Sequence, residues 1–288
     1  MNIVVIGHGM VGHKFLEQLH ALGVADANVT VLCEEPRAAY DRVHLSEFFS
    51  GKSAEDLSLV APGFFEASGF TLRLAARAAA VERRERTVTT ADGEVIPYDR
   101  LVLATGSAPF VPPVPGRDRP HCFVYRTIED LEAMQASAAR SRTGVVVGGG
   151  LLGLECAKAL RDLGLETHVV EFAPRLMAVQ VDDGGGRVLR SKIEDLGVQV
   201  HTGRNTLEIT DGATARHRMV FADGTHLETD MIVFSAGIRP RDEIARQCAL
   251  AIGPRGGVAV DDHCRTSDRN VYACLLYTSD AADEEDSV

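Results

Sequence analysis

The sequence predicts an α/β protein of two similar lobes, and three features carry that reading: an internal repeat, a glycine turn heading each copy, and an acid closing each copy. The β-branched run Ile3-Val4-Val5-Ile6 leads into Gly7-His8-Gly9-Met10-Val11-Gly12 and recurs, 141 residues later, as Val145-Val146-Val147 leading into Gly148-Gly149-Gly150-Leu151-Leu152-Gly153. Apolar residues at helical spacing follow in both, Phe15, Leu16 and Leu19 in the first and Leu154, Ala157 and Leu160 in the second. Each copy then returns to a strand, Val29-Thr30-Val31-Leu32 and Thr167-His168-Val169-Val170, with acids just beyond: Glu34 and Glu35 in one, Glu171 in the other.

The chemistry of a dinucleotide explains those residue types at that spacing. In a G-x-G-x-x-G turn the first glycine permits the tight bend, the second lets the backbone approach a pyrophosphate, and the third lets helix and strand pack closely. The helix N-terminus then offers N–H groups and a positive dipole end to the phosphates. An acid about 20 residues on accepts the ribose hydroxyls; Glu34 stands 22 residues after Gly12 and Glu171 stands 18 after Gly153. One such turn alone carries little weight, but two in full context predict two Rossmann-like dinucleotide-binding lobes. Protein side chains supply no two-electron redox chemistry, so two dinucleotides in one chain point to two carriers, most economically a flavin and a nicotinamide.

Between the repeats, Leu101-Val102-Leu103-Ala104-Thr105-Gly106-Ser107-Ala108-Pro109 reads as a buried strand breaking into an extended connector with Pro112, Pro113 and Pro115. Met231-Ile232-Val233-Phe234-Ser235-Ala236-Gly237-Ile238-Arg239-Pro240 echoes it. The expected division is a first lobe over 1–112, a second over 113–240, a return of the first over 241–273, and a tail over 274–288 that is non-native or disordered. The first lobe is therefore discontinuous and, by this reading, incomplete. Arg83-Arg84-Glu85-Arg86 is expected as a solvated turn and Asp182-Asp183-Gly184-Gly185-Gly186 as a flexible link before a helix holding Leu189 and Ile193. Ile128, Leu131 and Met134 are expected on the core face of a short helix.

Composition removes other classes. With 288 residues, 45% hydrophobic and 25% charged, the chain has material for two ordinary cores and does not resemble a disordered, collagenous or coiled-coil protein. A formal charge of -11 leaves nothing to neutralise a polyanion, so nucleic acid is not an expected partner. No apolar run reaches the roughly 18 residues of a membrane span and no basic leader precedes the first strand, so a cytoplasmic protein is expected. The six cysteines contain no C-x-x-C pair and read as reduced thiols. His263, Cys264 and Cys274 match no zinc spacing, and no metal is expected.

The A-T-G-x-x-P stretch from Ala104 to Pro109, followed by Pro112-Pro113-Val114-Pro115-Gly116 and set between two glycine turns, resembles the pyridine nucleotide-disulfide oxidoreductase superfamily. Within it, Cys33-Glu34-Glu35-Pro36-Arg37-Ala38-Ala39-Tyr40-Asp41-Arg42-Val43-His44-Leu45-Ser46 and Val170-Glu171-Phe172-Ala173-Pro174-Arg175 resemble the large subunit of assimilatory NAD(P)H nitrite reductases, a likeness that runs to about residue 273. The resemblance implies FAD in the first lobe and NAD(P)H in the second. Electrons would pass on to iron-sulfur and sirohaem regions, expected only in a missing C-terminal part, where nitrite becomes ammonium in nitrate assimilation. It implies FAD on Gly7, Gly9, Met10, Val11, Gly12, Glu34 and Glu35, with Arg42 close by in a catalytic role and Thr105 and Gly106 closing the flavin pocket. It implies NAD(P)H on Gly148, Gly150, Leu151, Leu152, Gly153 and Glu171, with the closing turn Ala236-Gly237 beside them. Glu155 matches a catalytic acid near the flavin–nicotinamide contact, or else a carboxylate that stabilises the first helical turn. Downstream acceptor domains or a small subunit, and a homodimer, are the implied partners.

Glu171 also bears on the coenzyme. A 2′-phosphate near a carboxylate meets repulsion of about 4 kcal/mol per unit charge pair at about 4 Å and an effective dielectric of about 20, which favours NADH. Arg175 would soften that preference by folding over the ribose, which leaves NADPH open. Hydride transfer between the rings needs an approach of about 3–3.5 Å and little acid–base help. The stretch 40–50 holds no cysteine of the kind related disulfide reductases use, so electrons are expected to leave for a separate centre. A stand-alone NADH-dependent rubredoxin- or ferredoxin-type reductase shares these motifs, and a nucleotide-binding redox sensor is the non-enzyme alternative. The end of the chain, from Cys274, resembles a translated transposase-type sequencing adapter.

Overall fold

The structure is a computed structural model that describes residues 1–24 and 27–274, so the expected tail beyond Cys274 lies outside the described residues. The chain forms two units of the same plan, each a five-stranded parallel sheet with a three-stranded antiparallel meander. The first comprises residues 1–42, 55–108 and 239 onward, and the second 43–54 and 109–238. Ser107–Pro109 and Ile238–Pro240, where the chain passes from one to the other, pair as a two-stranded sheet. No helix among the described residues is long and apolar enough to cross a membrane.

In the first unit Ile3, Val4, Val5 and Ile6 are all buried, as a central parallel strand covered on both faces requires. The sheet order is Val271–Ala273, Arg100–Leu103, Asn2–Ile6, Asn28–Leu32, Thr71–Arg73. Ile6 lies opposite both Leu32 and Leu103, so the three central strands end at one level and the loops after them emerge together. That carboxyl edge is where open α/β sheets place ligands. The helix Met10–Ala21 lays Leu16, fully buried, on the sheet with Phe15 and Leu19 beside it. The meander Ala78–Glu82, Thr87–Thr90, Val95–Pro97 sets Val81 against Val88 and Val88 against Ile96, and packs this face on Leu101 and Leu103. Arg83 corrects an expectation. Its guanidinium is not simply solvated but donates to the Asp268 carboxylate and the carbonyls of Cys248 and Ala249, tying the meander to the return segment.

The second unit repeats the plan with the order Val198–His201, Glu166–Val170, Thr143–Val147, Met231–Phe234, Cys122–Val124. Val147 lies opposite Val170 and Phe234, again bringing three strand ends level. The helix Leu151–Asp162 buries Cys156, Ala157, Ala159 and Leu160. The helix Ile128–Ala138 starts at a capping box, the Thr127 hydroxyl accepting from the Asp130 N–H while the Asp130 carboxylate accepts from the Thr127 N–H. Ile128, Leu131 and Met134 are fully buried, as their spacing predicts.

Two further expectations differ from the structure. The stretch Asp182 to Gly186 is not a flexible link: the Asp182 carboxylate accepts the Gly185 N–H at 2.7 Å, and the helix Asp183–Asp195 runs through all three glycines. Residues 43–54, expected in the first lobe, fall in the second unit, where the 3-10 turn Leu45–Ser50 buries Leu45 and stacks Phe49 near Tyr125, ring centroids 6.5 Å apart. Large apolar side chains on a short turn take whichever core can cover them.

Several histidines are buried in the neutral form. His168 Nδ1 lies 3.0 Å from His201 Nε2, and burial holds both rings below the usual imidazole value. His8 is pushed down to about 4 by burial and by His13 beside it. A depressed histidine stabilises the fold fully above its unfolded pKa of about 6.5, and that stability is lost as the pH falls towards the folded value. The urea midpoint is therefore expected to decline as the pH drops from about 7 to about 4.5, each unit of depression being worth about 1.4 kcal/mol. A midpoint that stays level across that window contradicts the assignment.

Candidate functional site

At the carboxyl edge of each central strand the chain makes the same turn. The Gly7 N–H donates to the Leu32 carbonyl and the Gly148 N–H to the Val170 carbonyl, both at 2.9 Å. Gly7 and Gly148 have φ of +105° and +123°, and a Cβ on either would overlap a carbonyl oxygen of the neighbouring strand's turn, Ala104 in one unit and Ser235 in the other. A Cβ on Gly12 or Gly153 would overlap the carbonyl oxygen of Gly7 or Gly148. The outer glycines are thus demanded by the fold. The middle ones are not. Gly9 and Gly150 have ordinary φ of -93° and -82°, and a Cβ there would meet nothing within 4 Å. Open space over backbone N–H groups is what a group from outside the chain needs.

Gly9 and Gly150 are also helix N-caps that carry no side-chain cap and no acid in the first turn, whereas Thr127 and Asp182 cap the helices they precede. Met10, Val11 and Gly12, and likewise Leu151, Leu152 and Gly153, form these uncapped first turns. Each end offers N–H groups and the positive end of a helix dipole. Two such ends fit two pyrophosphates.

The acids are held differently. Glu171, immediately after its strand, turns back on the glycine loop: Oε2 accepts the Gly149 N–H at 2.5 Å and Oε1 the Ala173 N–H at 2.6 Å. Glu34 accepts from the Arg241 guanidinium. Arg241 also donates its N–H to the Gly106 carbonyl and accepts the Thr105 hydroxyl on its own carbonyl. Glu34, Thr105 and Gly106 therefore meet around a residue that sequence reasoning missed; its only signal is its place just past the echo ending Ile238-Arg239-Pro240. Ala236 lies against Gly148, as Thr105 does against Gly7, and Gly237 follows it with φ of +113°.

Glu35 and Arg42 make a cluster of their own. Glu35 accepts from the Tyr40 hydroxyl at 2.7 Å and from Arg42, whose guanidinium lies 4.6 Å from the centroid of the Tyr40 ring. Glu155 is half-buried on the Leu151–Asp162 helix, and burial raises its carboxyl above the usual range against the opposing pull of His44. Burial likewise holds the thiols of Cys33, Cys122, Cys156 and Cys248 above their usual value, which leaves them protonated and poorly nucleophilic.

Paired turns of this kind, one per unit, are matched as a whole: residues 1–274 fit the family described as pyridine nucleotide-disulphide oxidoreductase. The chain belongs to that family. The family is one of pyridine nucleotide-dependent oxidoreductases, and its cofactor class is FAD and NAD(P)H. The chain is 55% identical over 275 residues, 95% of its length, to the nitrite reductase (NADH) large subunit of Escherichia coli (strain K12). It is 32% identical over 273 residues, 94% of its length, to the assimilatory nitrate reductase electron transfer subunit of Bacillus subtilis (strain 168). It spans only 32% and 35% of those two relatives. Among solved structures, the NAD-dependent persulfide reductase from A. fulgidus matches with a TM-score of 0.89 at 27% identity, over 96% of this chain and 53% of that one.

The Arg175 guanidinium donates to the carbonyls of Val181 and Ala178 and to the Asp183 carboxylate, so it is engaged in the 178–183 loop. The glycine geometry gives a separable outcome. Gly12→Ala and Gly153→Ala are expected to lower the unfolding midpoint. Gly9→Ala and Gly150→Ala are expected to leave the unfolding free energy unchanged or raise it by up to about 1 kcal/mol, while weakening FAD or NADH binding respectively by about tenfold or more. Thermal melts beside equilibrium dialysis read both; equal losses of stability in all four variants contradict the distinction.

Proposed function

We propose that the chain is the electron-input part of an NADH-dependent nitrite reductase, taking reducing equivalents from NADH through FAD to iron-sulfur and sirohaem centres carried by further sequence. The observation that carries the reading is the open space over Gly9 and Gly150 at two uncapped helix ends. The likeness to a nitrite reductase (NADH) large subunit supplies the acceptor. Bound FAD would supply the two-electron redox chemistry between the nicotinamide and those further centres.

The chain's own residues bind and orient. The N–H groups of Met10, Val11 and Gly12 receive the FAD pyrophosphate, and Glu34, steadied by Arg241, receives the adenosine ribose. Thr105 and Gly106 shape the wall beside it. Glu35 and Arg42 brace the following loop around Tyr40. The N–H groups of Leu151, Leu152 and Gly153 receive the NADH pyrophosphate over Gly148 and Gly150, with Ala236 and Gly237 alongside. Glu171 presents the lone pairs its two backbone donors leave over to the ribose hydroxyls, and its charge opposes a 2′-phosphate, so NADH is preferred. Glu155, raised by burial, holds a proton on its carboxyl more readily than an exposed acid and lies on the same helix as the NADH turn. Thiols that burial keeps protonated are poor nucleophiles, which favours electron export through centres elsewhere.

Placed in the Escherichia coli (strain K12) large subunit in exchange for the matching third, residues 1–273 are expected to sustain nitrite-dependent NADH oxidation. A chimera whose flavin is bleached by NADH under anaerobic conditions but passes nothing to nitrite supports a ferredoxin-type reductase instead. One whose flavin is not bleached contradicts electron transfer altogether.

A further inference from the structure

Two histidines are buried at the first glycine turn. His8 lies between Gly7 and Gly9, and His13 near the start of the helix Met10–Ala21; only 4% and 3% of their surfaces are exposed. The Ala39 N–H donates to His8 Nδ1 at 3.1 Å. An amide N–H only donates, so Nδ1 is bare and the hydrogen of this neutral ring sits on Nε2. His13 Nε2 lies 3.1 Å from the Leu59 carbonyl, which only accepts, so here Nε2 carries the hydrogen. The circuit closes between the two partners: the Leu59 N–H donates to the Ala39 carbonyl at 3.0 Å. The Asp41 N–H donates to the Leu57 carbonyl at 2.8 Å, and Tyr40 pairs with Ser58 in an antiparallel bridge. Residues 39–41 and 57–59 thus form a short ribbon tied to two rings that stand at right angles, their centroids 5.4 Å apart.

As packing alone, this arrangement is a poor one. His8 Nε2 and His13 Nδ1 are buried with no hydrogen-bond partner among the described residues, and each unmade bond weighs against the fold. Apolar side chains of like volume would fill the same space beside Phe64 and Phe65, whose rings lie 5.1 Å from His13 and 5.5 Å from His8, without that penalty. What the imidazoles add is a fixed link. It runs from the turn whose N–H groups face the FAD pyrophosphate to the stretch bearing Tyr40 and Arg42, both bonded to Glu35. We propose that His8 and His13 are positioning residues of the FAD site, a latch that ties the loop ending in Arg42 to the glycine turn before the cofactor arrives. The inference rests on the FAD site argued above and adds how its loop is held. A loop ordered in advance does not have to be ordered on binding, and the cofactor binds more tightly for it.

The test exchanges single atoms. An Asn Oδ1 stands where a His Nδ1 does, and a Gln Nε2 where a His Nε2 does, so the two positions call for opposite replacements. The protein freed of FAD is titrated with FAD by flavin fluorescence and with NADH by calorimetry. His8→Asn is expected to bind FAD within about twofold of the wild type and His8→Gln about tenfold more weakly, a loss of the size one hydrogen bond supports. At the second position the order reverses, His13→Gln staying near the wild type and His13→Asn falling about tenfold. NADH affinity, which belongs to the glycine turn of the second unit, is expected to be unchanged in all four. The latch is overturned if all four variants bind FAD as the wild type does, or if the same replacement is the better one at both positions, which marks an effect of size. It is equally overturned if NADH affinity falls in step with FAD affinity, which marks general damage to the fold. A wild-type protein that takes up no FAD overturns the FAD site itself.

Discussion

Each unit depends on one contact of backbone against backbone: the carbonyl of the first glycine, Gly7 or Gly148, packed where the third, Gly12 or Gly153, has no Cβ. That approach brings the first turn of the helix down onto the end of the central strand. With the strand ends level, the uncapped N–H groups, the acid loop and the turn of the next parallel strand gather at one edge of the sheet. The fold demands the outer glycines for its own packing; the middle glycine it could do without. A feature the fold does not need, placed twice at equivalent positions, is the strongest physical pointer to ligands that the molecule carries.

The two edges are alike in backbone and unlike in electrostatics. Glu171 is fixed by two backbone N–H groups, donors that carry no net charge and so do not neutralise its carboxylate. Glu34 faces a guanidinium, which partly offsets its charge. On the proposed function, the first arrangement opposes a 2′-phosphate on the nicotinamide coenzyme.

How much of this was legible in the sequence follows the range of the interactions. The β-branched runs, the glycine turns and the Ile128, Leu131, Met134 face are local patterns, and the strands and helices lie where those patterns place them. The Asp182 to Gly186 stretch misled because three glycines cost a helix about 1 kcal/mol each, yet a carboxylate cap and the packing of Gly186 under Arg175 prevail. Arg83 on Asp268, and Arg241 on Glu34, join residues 185 and 207 positions apart, and no spacing rule reaches that far. The 43–54 segment differs for a related reason: contiguity in sequence points to the first unit, whereas burial of Leu45 and the Phe49–Tyr125 stack belong to the second.

The central claim, that each glycine turn holds the diphosphate of a different redox coenzyme, is tested most directly by a crystal structure of the protein grown with FAD and NADH together. One pyrophosphate is expected over Gly9, within hydrogen-bond reach of the 10–12 backbone N–H groups, and another over Gly150, within reach of the 151–153 N–H groups. Pyrophosphate density away from either turn, or the same coenzyme at both, contradicts it.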